Sequence, residues 1–179
     1  HPGVAITWGL IVMAVIYAFG GQSGAHFNPA VTIAFWVNKS FPAKQVLPYI
    51  FSQAAGAFLA SILLHFLFPA SQFLGASLPA GDAMQSFVLE ILLTFFLMLV
   101  VLRVATGSKE QGLFAGIAFG SVVLLEAMFA GPVCGASMNP ARSFAPAIVS
   151  GHTEYLWVYL SAPVIGALAA VLLHQFIKP

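Results

Sequence analysis

The run from Gly20 to Ala30 reads GGQSGAHFNPA, and a second copy from Gly131 to Ala141 reads GPVCGASMNPA. The offset is 111 residues, from Asn28 to Asn139, and it extends backward: Ile6, Gly9 and Val12 fall on Ile117, Gly120 and Val123. Over residues 6–30 the copies share nine identities in 25 positions, which chance does not produce. Each copy leads through Asn-Pro-Ala into a short apolar piece, 29–37 and 140–149. Asn is a preferred N-cap, and Pro suits the first helical position, whose N–H would have no intrahelical partner anyway. Each copy therefore predicts a short helix capped by its own Asn.

Composition sets the surroundings of these pieces. Of 179 residues, 60% are hydrophobic and 6% charged, and mean hydropathy is +0.98. Soluble domains run near roughly 25% charged. A net charge of +1 and a single Cys leave no footprint for a nucleic-acid partner and no internal disulfide. The composition is that of a polytopic membrane protein. Spans of about 20 apolar residues are read at 3–20, 46–67, 83–104, 113–131 and 156–177. The two short pieces cannot cross a bilayer, and such helices are tolerated at membrane depth only inside protein or beside a wet cavity.

Three crossings separate the two copies, so they enter from opposite faces and form an inverted repeat. Shifted back by 111, the span at 83–104 would fall ahead of residue 1, so a six-span parent lacking its first helix here is expected. Lys39, Lys44, Arg103, Lys109 and Lys178 fall on one side, which the positive-inside rule makes cytoplasmic. The opposite loops, 68–82 and 150–155, carry no Lys or Arg. Arg142 sits within the second short piece, and a charge at membrane depth is a functional candidate. Small residues four apart (Gly112, Gly116, Gly120; Ala162, Gly166, Ala170; Gly56, Ala60) predict close helix packing.

A capping Asn uses its amide oxygen, which leaves the NH₂ group as a donor. Opposite entry brings two positively polarised helix N-termini together near the midplane. Such a centre offers two donors and no acceptor. It suits water or a polyol, repels cations, and holds a central water as acceptor so that a proton wire is broken. The stretches 23–27 and 134–138 are expected to be non-helical, with carbonyls that a permeating molecule could satisfy.

GAHFNPAV and GASMNPARS resemble the two signature loops of the major intrinsic protein family, the aquaporins and glycerol facilitators. The resemblance covers essentially the whole chain. It implies one channel domain over 1–179, with a first-repeat remnant at 6–67 and a second repeat at 83–177. The implied fold is an all-α integral membrane protein with an aquaporin-like inverted repeat and two re-entrant half-helices. The implied pore motifs are Asn28, Pro29, Ala30 and Asn139, Pro140, Ala141. Counting from the asparagines, the family's aromatic/arginine filter falls on Trp8, Ala127, Ala136 and Arg142. Water-selective members usually carry Phe and His at the first two positions, so Trp and Ala imply a wider, half-apolar opening. Trp8 would face carbon-bound hydrogens, while Arg142 would donate to hydroxyls.

GPVCGASMNPARS and WVYLSAP are closer to the nodulin-like branch, and Ser143 stands where glycerol facilitators usually carry Asp. The implied activity is passive passage of small uncharged solutes, glycerol with some water, excluding protons and ions. A water-selective aquaporin or a channel for urea or metalloid acids are the alternatives. The resemblance further implies a homotetramer in the plasma membrane lipid bilayer, with no cofactor, no metal and no nucleic-acid partner.

Several other residues bear on function. Glu90 opens the run EILLTF, a family motif, and its carboxylate is expected to accept from backbone N–H groups of a re-entrant loop. Glu126 is expected to brace the outer loop, His26 to fix loop backbone, and Cys134 to be a small loop residue. His65, His152 and His174 are too scattered for a metal site. Gly21-Gln22-Ser23-Gly24 resembles the G-x-S-G of intramembrane rhomboid serine proteases, but Cys134 stands at the place of Ser23 in the second copy, so the repeat explains the motif. A coupled transporter would need more buried ionisable groups than Glu90 and Glu126 on the spans.

Overall fold

The structure, a computed structural model, describes residues 1–177. Those residues form eight helices and no strand. Five are long and apolar enough to cross a membrane: α1 (Pro2–Ser23), α3 (Ala43–Leu67), α4 (Ala83–Ala105), α6 (Ala115–Cys134) and α8 (Leu156–Ile177). The half-helices are α2 (Pro29–Val37) and α7 (Pro140–Ser150). The fold is an all-helical, multi-pass membrane fold, as its composition predicts. Lys178, assigned above to the cytoplasmic side, lies outside the described residues.

Two helix ends lie three residues beyond the hydropathy reading, and the reason is the glycine that follows each. α1 and α6 run three residues further than predicted, to Ser23 and Cys134. Each stops at a left-handed glycine, Gly24 (φ 70°) and Gly135 (φ 85°), whose N–H returns to the carbonyl of Gly20 or Gly131. Polar Gln22 and Ser23 lower the hydropathy of the last turn without breaking it. Cys134 is thus the last helical residue, wholly buried, with its thiol donating to the Ala130 carbonyl at 3.5 Å; it is not the loop residue expected. The helix α5 (Lys109–Leu113) was not anticipated; Ser108 and Gln111 start it with a reciprocal capping box.

The repeat relation orders the packing. α1 and α6 cross at Gly9 and Gly120, which are equivalent positions in the two copies. A Cβ on either glycine would lie 2.6 Å from the other's carbonyl oxygen. Only bare backbone permits that approach. Tyr17 packs over Gly116, and Gly166 lets α8 lie on the α4 backbone at Ile91. Gly112 and Gly56 do not follow the packing expectation. A Cβ at either meets nothing within 4 Å, and Gly56 lines a cavity with Ala60 instead. α2 rests on α3 and α8, and α7 rests on the same two helices. Their starts meet inside the molecule. The outer faces stay apolar, with residues such as Leu47, Phe51 and Phe66 exposed, as lipid contact requires.

Candidate functional site

The half-helices begin where the sequence requires. Asn28 and Asn139 have extended backbone and cap α2 and α7. Asn28 Oδ1 accepts from Ala30 N, and Asn139 Oδ1 accepts from Ala141 N and Arg142 N. The other end of each amide departs from the simplest expectation. Asn28 Nδ2 donates to the Met138 carbonyl at 2.8 Å, and Asn139 Nδ2 donates to the Phe27 carbonyl at 2.9 Å. Phe27 and Met138 are themselves repeat equivalents, each immediately before its own Asn. The two loops are thus tied reciprocally, and each amide keeps one hydrogen rather than two. Two loop carbonyls expected to await a solute are already satisfied.

Loop backbone conformation follows the same symmetry. Ala25 (φ 48°) and Ala136 (φ 42°) are equivalent and both left-handed, each directly after its left-handed glycine. Such strain persists in non-glycine residues only where surroundings over-determine it. In the second loop the surroundings are visible: buried Glu90 accepts from Ser137 N through Oε1 and from Met138 N through Oε2, both at 2.7 Å. A carboxylate here ties two consecutive amides with charge-assisted bonds. In the first loop, His26 is buried, stacks on Phe35 at 4.8 Å between ring centroids, and contacts Thr32 Oγ1 through Nδ1 at 3.3 Å.

A cavity of about 940 Å³ passes both asparagines. Its wall includes Trp8, Ala127, Ala136 and Arg142, so the four positions counted from sequence come together on one cavity. The Arg142 guanidinium carbon stands 5.1 Å from the Trp8 ring centroid, within reach of a cation–π contact. Arg142 Nη1 donates to the Gly75 carbonyl at 3.2 Å and to Ser77 Oγ. Beyond the asparagines the same cavity is lined by His26, Tyr49 and Gln53.

Comparison with known proteins gives this arrangement its relatives. The sequence pattern described as Major intrinsic protein matches residues 1–174. The chain belongs to the major intrinsic protein family. It is 49% identical to Nodulin-26 of Glycine max over 99% of this chain and 66% of that protein. It is also 49% identical to Aquaporin NIP1-1 of Zea mays, over 99% of this chain and 63% of that one. The chain thus spans less than two thirds of the length of these curated relatives. Among solved structures, the aquaglyceroporin from Plasmodium falciparum superposes with a TM-score of 0.87 at 25% identity, covering 98% of this chain and 82% of that one.

Three features of the site follow no pattern in the sequence. The loop 68–82 is more than a connection free of Lys and Arg: its Gly75 and Ser77 hold the arginine, and buried Leu74 lines the cavity. Buried Thr32 pairs with half-buried Gln53, whose Nε2 donates to Thr32 Oγ1 at 2.9 Å. Ser137, Ser143 and Ser77 form a cluster of hydroxyls. Short polar residues in an apolar chain were the available signal, but no spacing rule joins them. A further expectation fails at Glu126. Glu126 does not brace the outer loop: it is buried in α6 facing α4, among Leu92, Phe96 and Val100, and its Oε2 has no hydrogen-bond partner. Its place one residue before Ala127 turns it about 100° around the helix, away from the cavity and toward the neighbouring helix.

Proposed function

We propose that the protein is a passive channel for small uncharged solutes, with glycerol the preferred solute and water a slower passenger. The observation that carries this reading is the pair of capping asparagines, each presenting one amide hydrogen to a shared cavity. A hydroxyl or water oxygen accepts from both. A cation meets two positively polarised half-helix ends and is repelled. A water oriented as acceptor at this point cannot pass a proton along the file.

Trp8, Ala127, Ala136 and Arg142 act as the solute filter in this reading. Trp8 offers an apolar face, Arg142 offers donors, and the two alanines leave the room that larger side chains would fill. The similarity to an aquaglyceroporin supports the same solute class. Asn28, Pro29, Ala30, Asn139, Pro140 and Ala141 form the central constriction, with Glu90 and His26 in support. The channel acts as a homotetramer in the plasma membrane, one pore per chain. The chemistry needs no catalytic group. Osmotic shock of proteoliposomes tests the reading: glycerol flux should rise linearly with its gradient, without saturation and without any dependence on an ion gradient. Saturating, ion-driven flux would instead indicate a coupled transporter.

A further inference from the structure

Arg142 is held by a chain of hydroxyls whose direction can be worked out bond by bond. Ser137 Oγ donates to the Asn139 carbonyl at 3.0 Å, which uses its only hydrogen. It must therefore accept in its 2.5 Å contact with Ser143 Oγ. Ser143 has then spent its hydrogen and accepts from Ser77 Oγ at 2.7 Å. Ser77 in turn accepts from Arg142 Nη1, which can only donate. The run reads Arg142 to Ser77 to Ser143 to Ser137 to the Asn139 carbonyl, every hydrogen pointing the same way. Bonds aligned like this polarise and strengthen one another. All three serines are buried, from 1% to 6% exposed.

The first repeat shows which part of this run is general to the fold. His26 and Thr32 are the repeat equivalents of Ser137 and Ser143, and they too are in contact. Gln53 of α3 supplies the third member there, as Ser77 does in the second copy. The equivalent of Arg142, however, is Val31. Each half-helix is thus braced by a three-member polar cluster, and only the second brace is extended to a charge. Ser77 is the member that makes the extension. Its loop is held in place: Ala80 N donates to the Val133 carbonyl at 2.9 Å, and Ser77 lies against Gly135 at the end of α6. Among the described residues, the hydrogen-bond partners of the guanidinium are Ser77 and the Gly75 carbonyl, both neutral.

We propose that Ser77 is a positioning residue for solute selectivity. It locks the Arg142 guanidinium over Trp8 and ties it, through Ser143 and Ser137, to the backbone of the second Asn-Pro-Ala turn. The filter and the central constriction are then one mechanical unit. This inference rests on the channel reading above.

The test compares wild type, Ser77→Ala, Ser77→Thr and Ser143→Ala in proteoliposomes, reading the ratio of glycerol to water permeability and the proton leak with an internal pH dye. A ratio is independent of how much protein folds. Ser77→Ala should change the ratio by about fivefold, the population shift that losing one hydrogen bond gives, and should raise proton leak. Ser77→Thr, which keeps the hydroxyl, should restore both. Ser143→Ala cuts the same run one step further back and should shift the ratio in the same direction, so it carries the test if Ser77→Ala does not fold. Unchanged ratio and leak in both alanine variants would overturn the positioning role while leaving the channel reading standing. Wild-type vesicles no more permeable than empty ones would overturn the channel reading instead.

Discussion

In the proposed channel, the single hydrogen left on each asparagine amide decides what the centre of the molecule can bind. Asn28 and Asn139 each spend their oxygen on a helix cap and one hydrogen on the opposite loop. Replacing Asn139 with Ala removes a cap worth about 1 kcal/mol and strips the Phe27 carbonyl of its partner. The expected outcome is a lower Tm in detergent, with the loss exceeding that of a surface Asn→Ala control; equal losses would mean that the cross-loop bond contributes nothing. Glu90→Gln should also destabilise, because an amide offers one acceptor oxygen to two N–H groups and turns its own NH₂ toward the other. A loss of about 1–3 kcal/mol is expected from the unsatisfied amide, readable by chemical unfolding. At Arg142, substitution by Ala should raise proton or cation leak; an unchanged leak would remove Arg142 as a barrier. The capping asparagines were legible because Asn before Pro has one dominant local meaning. The cross-loop bonds were not, since they depend on how two loops 111 residues apart in sequence meet in space.

At the scale of the helices, the glycines divide into those that allow contact and those that do not. Both kinds look alike in sequence, and four-residue spacing alone could not separate them. Gly9→Ala would put a Cβ 2.5 Å from the Leu124 Cβ and 2.6 Å from the Gly120 carbonyl, forcing α1 off α6. Overpacking of this kind costs typically about 1–3 kcal/mol, so thermal unfolding should show a clear drop. Gly56→Ala enters open space and should leave the Tm unchanged or slightly raised. Equal effects at both positions would contradict the packing account. The span count, the half-helices and their caps were readable from hydropathy and the repeat. The roles of loop 68–82 and of Glu126 were not. A loop's docking is set by tertiary contact, and a helix residue's facing depends on which neighbour packs there. A polar residue on an apolar helix says only that it needs an environment, not which one.

Across the whole molecule, two inverted halves bring their helix starts to one cavity, and the halves then differ at one decisive position. Val31 stands in the first half where Arg142 stands in the second. The asymmetry puts Arg142 on the cavity wall, beside Trp8 and two alanines. The combined variant Trp8→Phe with Ala127→His should narrow the cavity there and cut glycerol flux more than water flux; equal losses would contradict the size argument. The most direct test of the central claim is stopped-flow light scattering on proteoliposomes, with glycerol and water permeability measured in one preparation. The account predicts fast glycerol passage with low activation energy, alongside slower water. Fast water with no glycerol would contradict it, and would mean that something other than Trp8, Ala127, Ala136 and Arg142 sets the width of the filter.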